Sequence, residues 1–431
     1  MNHIEETARR MKLESPVLAA CPGEQRNEAL SRVRDALIAQ KDRIFAANQK
    51  DLARAEESGV APAILGRLKF DDHKLADVTA GIDQIISLPD PVGKISLARE
   101  LDQGLTLYRE SCPIGVIGVI FEARPDAMVQ ISSLCLKSGN CAILKGGSET
   151  RATNQVLFQI IHEAAVSAGL PEDCLAQADS HQEIDDLLTC DRYVDLLIPR
   201  GSNAFVRYIM DHTKIPVMGH ADGICHIYVD RAADIERAIP VVVDAKVQYT
   251  AACNAAETLL VHRDIAPAFL PRLAEAFREE GVTIRGTREV QDLIPCEPAD
   301  EEDFRTEYLA LIISVKLVDS VEEAVRHINL YGSHHTDAIM TEDPNAARTF
   351  MSLVDSAGVY QNCSTRFADG FRYGFGAEVG ISTGKIHARG PVGLEGLMTY
   401  KYKLFGQGQT VGDYASGKRQ FHFRDLPEQE G

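Results

Sequence analysis

Short apolar runs alternate with helical patterns over much of this chain, and this alternation limits the folds that it can adopt. Between Pro113 and Asp230, runs rich in β-branched residues, such as Ile114–Phe121, are followed by segments whose apolar residues recur at helical spacing. Strands connected through helices lie parallel, because each right-handed crossover places its helix on one face of the sheet. We therefore predict an α/β fold with a mostly parallel sheet in this block.

The pattern also gives approximate bounds for the elements. The predicted strands of the first block are Ile114–Phe121, Cys141–Leu144, Cys174–Ala178, Val194–Ile198, Ile215–Met218 and Ile224–Val229, and its predicted helices are Asp126–Lys137, Thr150–Ala168, His181–Thr189 and Asn203–Asp211. A second alternating block, from Ala245 to about Phe375, predicts a second α/β domain. The first hundred residues have helical periodicity, for example over Glu24–Ala47. Two strand-like pieces, Ser96–Cys112 and Leu394–Phe405, predict a hairpin and its partner strand.

Length and charge exclude several classes of function. The 431 residues are enough for two or three domains, and the net charge of −18 argues against a nucleic-acid partner. No apolar run reaches the roughly 18 residues of a membrane span, and the amino terminus has no signal-peptide pattern. We therefore expect a cytoplasmic protein with no membrane partner. The ten cysteines follow no disulfide or zinc spacing, which favours free thiols.

Two glycine-containing turns lie where predicted strands of the first block end. Lys145–Glu149 (KGGSE) follows one strand, and Pro199–Ser202 (PRGS) follows another. Small residues let the backbone approach a ligand, and a helix amino terminus offers N–H donors to phosphate. A plain strand-to-helix turn has the same composition. Neither turn contains the G-x-G-x-x-G fingerprint of dinucleotide sites.

Cys253 is the cysteine whose surroundings suit a nucleophile. It lies in Tyr249–Glu257 (YTAACNAAE), among small side chains that leave room for a substrate carbon. A thiolate at this position can attack an activated carbonyl and form a thioester. A buried structural cysteine is the alternative interpretation.

Two further segments contain polar residues whose function the sequence leaves open. Asp369–Gly393 mixes many glycines with polar residues, which is typical of a folded functional loop or of a long irregular connection. His334 and His335 are adjacent, but no third ligand has a suitable spacing in the sequence, so we predict no metal site.

Segments throughout the chain resemble the γ-glutamyl phosphate reductase family of the aldehyde dehydrogenase superfamily. They are Ile117–Pro125, Cys135–Asn140, Leu144–Glu149, Ile198–Ser202, Cys225–Asp230, Cys253–Thr258, Ser364–Phe367 and Gly374–Gly393. Because these segments occur in order over nearly the whole chain, the resemblance covers both predicted domains.

The resemblance implies an aldehyde-dehydrogenase-like fold, with two Rossmann-like α/β domains and a β-hairpin oligomerisation element. The implied NADP-binding domain spans residues 1–95 and 113–228, and the catalytic domain spans 229–375. The oligomerisation hairpin and strand are 96–112 and 394–405, with a return segment near the cofactor at 376–393 and a tail at 406–431.

The resemblance also implies an activity and a set of site residues. The expected reaction is reduction of L-glutamate 5-phosphate by NADPH to L-glutamate 5-semialdehyde and phosphate through a cysteine thioester, the second step of proline biosynthesis. Cys253 is the implied nucleophile. The implied cofactor-binding residues are Lys145, Gly146, Ser148, Arg200, Gly201, Ser202 and Glu307, and the candidate substrate-binding residues are Arg124, Asn254, Arg366, His387 and Arg389.

Two positions depart from the wider superfamily. The segment Met218–Gly223 contains no glutamate that matches the general base of aldehyde-oxidising members, which fits a reductase. His220 or Asp222 remains as a substitute. The oxyanion-stabilising asparagine of the superfamily falls on Ala123, so the oxyanion needs another donor, such as the Cys253 N–H.

Other functions stay open from the sequence. A related aldehyde dehydrogenase, a reductase of another acyl phosphate and a non-catalytic partner of glutamate 5-kinase are the alternatives. The expected partners are the substrate, further copies of the chain in a dimer or tetramer, and the kinase.

Overall fold

The computed structural model describes residues 2–60, 62–180, 182–220, 222–375 and 377–427, without the side chains of 62–64. Four expectations therefore begin or end outside the described residues. They are the start of the implied NADP-binding domain at residue 1, the start of the predicted helix at His181, the start of the return segment at residue 376, and the end of the tail at 428–431.

Helices and strands alternate through most of the described residues. The helices are α1 (His3–Ala20), α2 (Gly23–Ala39), α3 (Lys41–Glu57), α4 (Pro62–Leu68), α5 (Asp72–Ser87), α6 (Pro125–Ser138), α7 (Arg151–Ser167), α8 (Gln182–Leu188), α9 (Asn203–Asp211), α10 (Ile235–Val247), α11 (Ala266–Glu279), α12 (Arg288–Gln291), α13 (Val321–Tyr331), α14 (Pro344–Leu353) and α15 (Val411–Ala415). The strands are β1 (Ile95–Asp102), β2 (Leu105–Pro113), β3 (Val116–Phe121), β4 (Cys141–Lys145), β5 (Leu175–Ala178), β6 (Leu196–Arg200), β7 (Cys225–Val229), β8 (Ala256–His262), β9 (Thr283–Gly286), β10 (Glu297–Pro298), β11 (Ile312–Val318), β12 (Thr336–Met340), β13 (Gly358–Gln361), β14 (Gly380–Ser382), β15 (Gly390–Val392), β16 (Met398–Phe405) and β17 (Arg424–Asp425).

The chain folds into two compact units. The first contains Met1–Met218, Phe375–Gly380 and Val392–Gly431, and the second contains Gly219–Gly374 and Ile381–Pro391. The first unit is built on a parallel sheet of order β5-β4-β3-β6, whose central strands β3 and β4 are buried over their whole length. Strands that are buried on both faces must be apolar throughout, which is why these runs show no alternation of polar residues.

Local signals set the ends of the helix between β3 and β4. Pro125 occupies the first turn of α6, where its missing N–H costs nothing, and Gly139 ends the helix in the left-handed conformation at φ 74°. The crossover formed by α6 therefore returns the chain to β4 beside β3, in the parallel pairing that the sequence predicted.

An antiparallel sheet forms a separate part of the first unit. Its order is β16-β2-β1-β17, with β1 and β2 joined as a hairpin and β16 paired along β2 from Met398–Pro113 to Phe405–Thr106. The predicted hairpin at 96–112 is therefore present, whereas the predicted partner strand 394–405 is a strand only from Met398, because Leu394–Leu397 form a 3₁₀ turn. The tail adds the short edge strand β17, which pairs with β1.

The second unit is built on a seven-stranded sheet of order β10-β9-β11-β8-β7-β12-β13, and all of its described pairings are parallel. One face buries a cluster that includes Phe269 and Phe277 of α11. The other face buries a cluster around Tyr228 of β7 and Phe350 of α14. Apolar packing on both faces holds the central strands β8, β7 and β12 in a fixed order.

Three sequence expectations differ from the structure. The boundary expected after residue 228 cuts through β7, which pairs with β8 and β12, so the units divide at Met218–Gly219 instead. The predicted strand Ile215–Met218 is reduced to a single bridge between Val217 and Leu197. The periodic segment Glu24–Ala47 forms two helices that meet at Gln40, where the backbone is not helical. The sequence gives no sign of this break, because no Gly or Pro lies at that point.

No helix among the described residues is long and apolar enough to cross a membrane.

Candidate active site

Cys253 lies in the turn that leads from α10 into β8. Backbone hydrogen bonds from Ala252 N to Tyr249 O and from Ala255 N to Ala252 O form this turn. The thiol is half-buried, whereas Cys225 on the neighbouring strand is fully buried. Burial raises the pKa of the Cys225 thiol well above its ordinary value, so that side chain is inert. Cys253 therefore combines partial access with a fixed backbone.

His335 faces the sulfur of Cys253. It immediately precedes β12, its side chain is almost completely buried, and its Nε2 lies 3.2 Å from Cys253 Sγ. The other ring nitrogen, Nδ1, lies 2.9 Å from Thr336 Oγ1. A hydrogen bond at Nδ1 fixes the orientation of the ring, so Nε2 stays directed at the thiol.

A segment before β7 completes the surroundings of the thiol. The His220 ring packs edge-to-face on the His335 ring, with centroids 5.0 Å apart, and His220 Nδ1 lies 2.9 Å from the carbonyl oxygen of Ile381. A Cβ at Gly223 would lie 2.2 Å from Cys253 O, so only glycine permits this approach of the two segments. The backbones at residues 223 and 253 therefore touch without a side chain between them.

Asn254 is held by the loop that follows β13. Its Nδ2 donates to Ala368 O at 2.8 Å, and Thr365 Oγ1 donates to Asn254 O at 2.7 Å. Its Oδ1 is buried and accepts no hydrogen bond from the described residues. Asn254 therefore anchors the Cys253 turn through one half of its amide.

Arg366 is the candidate substrate-binding cation that shares the surroundings of Cys253. Its side chain is buried, its Nε donates to Gln248 Oε1 at 2.9 Å, and its guanidinium lies over the Tyr249 ring. Burial lowers the pKa of Arg366, Arg372 lowers it further, and the negative charge of Cys253 acts in the opposite direction. The guanidinium is thus close enough to Cys253 for the two charges to interact.

A buried ion pair joins the elements on either side of the Cys253 turn. Lys246 Nζ and Glu257 Oε2 are 2.5 Å apart, and both side chains are excluded from solvent. Burial raises the pKa of Glu257 to about 7 and lowers the pKa of Lys246, while each partner opposes the shift of the other. Since Lys246 ends α10 and Glu257 lies in β8, the pair connects the two elements that carry the Cys253 turn.

The same carboxylate supports the segment that contains Glu307. Leu309 has a left-handed backbone at φ 53°, and its N–H donates to Glu257 Oε1 at 3.3 Å. The charge of Glu307 also raises the pKa of Glu257, which places Glu307 near the pair. Glu307, Glu257 and Cys253 therefore belong to one connected part of the second unit.

The first unit carries the other predicted cofactor residues. Lys145 is buried at the end of β4, burial lowers its pKa, and its ammonium donates to Gly146 O at 2.6 Å rather than to a carboxylate. A Cβ at Gly146 would lie 2.0 Å from Asn154 Nδ2. Ser148 begins a short 3₁₀ turn before α7, and its carbonyl accepts from Arg54.

The second predicted turn lies at the same edge of that sheet. The ladder pairs Ile120 of β3 with Lys145 on one side and Phe121 with Arg200 on the other. Ser202 caps α9 by accepting from Phe205 N, and a Cβ at Gly201 would meet the Glu122 carboxylate at 2.5 Å. Ser202 N–H donates to that carboxylate at 3.2 Å, so a phosphate at this turn must displace it.

The remaining predicted residues are Arg124, His387 and Arg389. Arg124 is exposed at the start of α6 in the first unit, and His387 is exposed in the second unit. Arg389 donates to the carbonyl of Asp355 at 2.9 Å and pairs with its carboxylate at 3.4 Å. Of the five candidates for substrate binding, the structure thus brings Asn254 and Arg366 to Cys253.

Sequence reasoning did not connect the two histidines with the cysteine. His334 and His335 are adjacent in the chain, but the ring of His334 faces the Asp355 carbonyl and only His335 faces Cys253. His220, His335 and Cys253 have ligand atoms within 4.8 Å of one another. Spacing along the chain carries no signal for this group, because its members precede three different strands.

Comparisons with known proteins agree with this fold. A profile of the aldehyde dehydrogenase family matches residues 2–289. Gamma-glutamyl phosphate reductase of Acetivibrio thermocellus is 56% identical over 426 residues, 99% of each chain. The crystal structure of gamma-glutamyl phosphate reductase from Thermotoga maritima superposes with a TM-score of 0.93 at 38% identity, covering 95% of this chain and 100% of that chain. An acetylating aldehyde dehydrogenase from Geobacillus thermoglucosidasius shares the fold, with a TM-score of 0.64 at 15% identity, over 94% and 97% of the two chains. These matches confirm the predicted aldehyde-dehydrogenase-like α/β fold.

The buried ion pair gives a prediction for stability. In Lys246→Met the Glu257 carboxylate keeps its burial but loses its cation, so we expect the free energy of unfolding to fall by about 3–5 kcal/mol. The deficit grows as the pH rises above about 7, because the variant must then bury a charged carboxylate. Urea denaturation at several pH values measures both effects.

The exposed pair Arg272–Glu236 supplies the control. Arg272→Met should cost less than about 1 kcal/mol, because exposed pairs contribute little. The double variant Lys246→Met/Glu257→Leu should recover much of the loss, since no buried charge remains. Equal losses for Lys246→Met and Arg272→Met would contradict this account of the pair.

Proposed function

Because this chain belongs to the γ-glutamyl phosphate reductase family, within the aldehyde dehydrogenase family, we propose that it reduces L-glutamate 5-phosphate to L-glutamate 5-semialdehyde and phosphate. The proposed hydride donor is NADPH, and the pathway is proline biosynthesis from glutamate. The reaction passes through a thioester on Cys253. The observation that carries this proposal is the approach of His335 Nε2 to within 3.2 Å of the half-buried Cys253 sulfur.

The first half of the reaction forms the thioester. His335 accepts the thiol proton as the Cys253 sulfur attacks the acyl carbon, because its Nε2 is oriented toward the sulfur by the hydrogen bond at Nδ1. The C–O bond to phosphate then breaks, and the departing phosphate takes up the proton. Arg366 supports this step, since its buried guanidinium is close enough to Cys253 to stabilise a negatively charged acyl phosphate there.

The second half releases the aldehyde. When bound, NADPH supplies the hydride that reduces the thioester carbon. The resulting hemithioacetal oxyanion collapses, and the Cys253 sulfur leaves with its electron pair. The segment 218–223 contains no glutamate to match the base of the aldehyde-oxidising enzymes, and His220 and Asp222 are the residues left there to activate water. The lack of that glutamate favours reduction over hydrolysis.

The side chains of the first unit fit a phosphorylated dinucleotide. Among the described residues, the buried ammonium of Lys145 donates to a backbone carbonyl and to no carboxylate, which leaves it suited to a phosphate, and the missing Cβ of Gly146 makes room for the Asn154 side chain. We assign Lys145, Gly146 and Ser148 to the adenosine ribose and its 2′-phosphate, and Arg200–Ser202 to the pyrophosphate. Glu307, in the second unit, is assigned to the nicotinamide ribose. Arg124, His387 and Arg389 are weaker candidates for the amino-acid end of the substrate.

The antiparallel sheet of the first unit supports an oligomeric form. β16 is an edge strand, and the side chains of Tyr400, Tyr402, Leu404 and Phe405 are each more than half exposed. Exposed aromatic side chains on an unpaired strand edge are a liability unless another chain covers them. We therefore propose that 96–112 and 394–405 mediate self-association of a cytoplasmic enzyme, to which glutamate 5-kinase can deliver the labile acyl phosphate.

Removal of the nucleophile tests the covalent route. Cys253→Ser should lose about 10,000-fold or more of the reductase activity, because no thioester forms. The assay follows NADP reduction with phosphate and pyrroline-5-carboxylate, and the same assay with simple aldehydes separates a general aldehyde oxidiser. Mass spectrometry of the wild type with acyl phosphate alone should show an adduct on Cys253. Cys363→Ser, another half-buried thiol, is the control. Substantial turnover by folded Cys253→Ser would refute the thioester.

A second variant tests the proton acceptor. His335→Gln should lower kcat by about 100- to 10,000-fold and slow alkylation of Cys253 by iodoacetamide at neutral pH. His334→Asn is the matched control, because its ring faces Asp355 and asparagine tolerates the left-handed backbone at φ 60°. If alkylation and kcat respond equally to the two substitutions, His335 has no special role.

A third variant tests the assignment of the cofactor residues. Lys145→Met should reduce kcat/KM for NADPH by about 10- to 100-fold, because a charge-assisted hydrogen bond to phosphate is lost. The value for NADH should change much less, since NADH lacks the 2′-phosphate. Lys50→Met, at an exposed position of the same unit, is the control. Equal losses of kcat/KM for NADPH and NADH would contradict the assignment of the 2′-phosphate to Lys145.

A further inference from the structure

The group formed by Cys253, His335 and His220 has the composition of a soft-metal site. Its three ligand atoms, one sulfur and two imidazole nitrogens, all lie within 4.8 Å of one another. Thiolate and imidazole select zinc and similar borderline-soft cations, whereas calcium and magnesium prefer oxygen. The chemistry of the ligands therefore points to one class of ion.

The hydrogen bonds at Nδ1 of the two histidines direct the lone pair of each neutral ring to Nε2. A carbonyl oxygen only accepts, so His220 Nδ1 must carry the hydrogen that it donates to Ile381 O, and the lone pair of the neutral ring is then at Nε2. His335 has the same form when Nδ1 donates to Thr336 Oγ1, which leaves its Nε2 lone pair facing the sulfur. Histidines that ligate zinc are oriented by such a hydrogen bond from the second ring nitrogen.

The distances require only a small adjustment. Zinc–sulfur and zinc–nitrogen bonds in a tetrahedral site place the ligand atoms about 3.3–3.6 Å apart. His335 Nε2 and Cys253 Sγ are already 3.2 Å apart, and the widest separation in the group is below 4.8 Å. Closing the group demands a movement of roughly 1 Å, and two of its three members, Cys253 and His220, are only half-buried.

We propose that Cys253, His335 and His220 form an exchangeable Zn²⁺ site that masks the nucleophile, with water in the fourth position. Binding breaks the S–H bond, forms a Zn–S bond and releases the thiol proton to solvent. The positive charge of Arg366, which acts on Cys253, opposes a second cation. The ion is therefore held more weakly than in a four-ligand structural site, and it leaves when a chelator is added.

The binding of the metal does not require Cys253 to be the nucleophile, but the masking does. Binding and catalysis are therefore measured separately. The full chain is freed of metals with a chelator, kept reduced with a phosphine, and titrated with Co²⁺, which takes up tetrahedral zinc sites and reports its ligands by absorption.

We expect one Co²⁺ per chain, with the visible bands of tetrahedral cobalt and a near-ultraviolet thiolate-to-metal band. Zn²⁺ should displace the cobalt and slow alkylation of Cys253. The thiolate band should vanish in Cys253→Ser. His220→Gln and His335→Gln should weaken binding by about tenfold or more, whereas exposed His73→Gln and the thiol control Cys363→Ser should not.

Folding of each variant is checked by circular dichroism and thermal melting. Octahedral cobalt, or a thiolate band that His220→Gln leaves unchanged in strength and affinity, would overturn the site. If wild type binds no cobalt but Cys253→Ser is inactive, the metal site fails and the proposed function stands. If cobalt binds with the expected spectrum but Cys253→Ser retains reductase activity, the site stands and the proposed function fails.

Discussion

The chemistry of the second unit depends on the order of three parallel strands, β8, β7 and β12, at the centre of its sheet. Each strand begins at the same edge, so the segments that precede them meet there. Cys253 precedes β8, Gly223 and His220 precede β7, and His335 precedes β12. Apolar packing on both faces fixes the strand order, and the strand order fixes which side chains face the sulfur.

The buried Lys246–Glu257 ion pair holds the Cys253 turn in place, and burying its two charges costs free energy. This pair connects the last turn of α10 to β8, and Glu257 Oε1 also accepts a hydrogen bond from the N–H of Leu309. Burial opposes the charged form of both partners, and the left-handed backbone at Leu309 adds strain. Groups of this kind are retained where position matters more than stability. Here they connect the thiol turn with the segment that contains Glu307.

One arrangement of side chains supports both proposals for this site. The His335 imidazole, 3.2 Å from the Cys253 sulfur, can accept the thiol proton. The lone pairs of this nitrogen and sulfur also suit a borderline-soft cation. The two uses exclude each other at any moment, because the metal occupies the sulfur that must attack.

Beyond Cys253, which only the family resemblance singled out as the candidate nucleophile, the sequence by itself determined the two α/β blocks and the hairpin with its partner strand. These follow from local information, because burial on both faces requires continuous apolar runs such as Val116–Phe121 and crossovers require helical periodicity. The predicted boundary after residue 228 was wrong, because β7 pairs with β8 and β12 in the sheet of the second unit. Which histidine faces the sulfur was decided only in the tertiary structure. The sequence does not distinguish His334 from His335, because they are adjacent residues of the same type. The pairing of β12 beside β7 brings His335 to Cys253, which is 82 residues away in the chain.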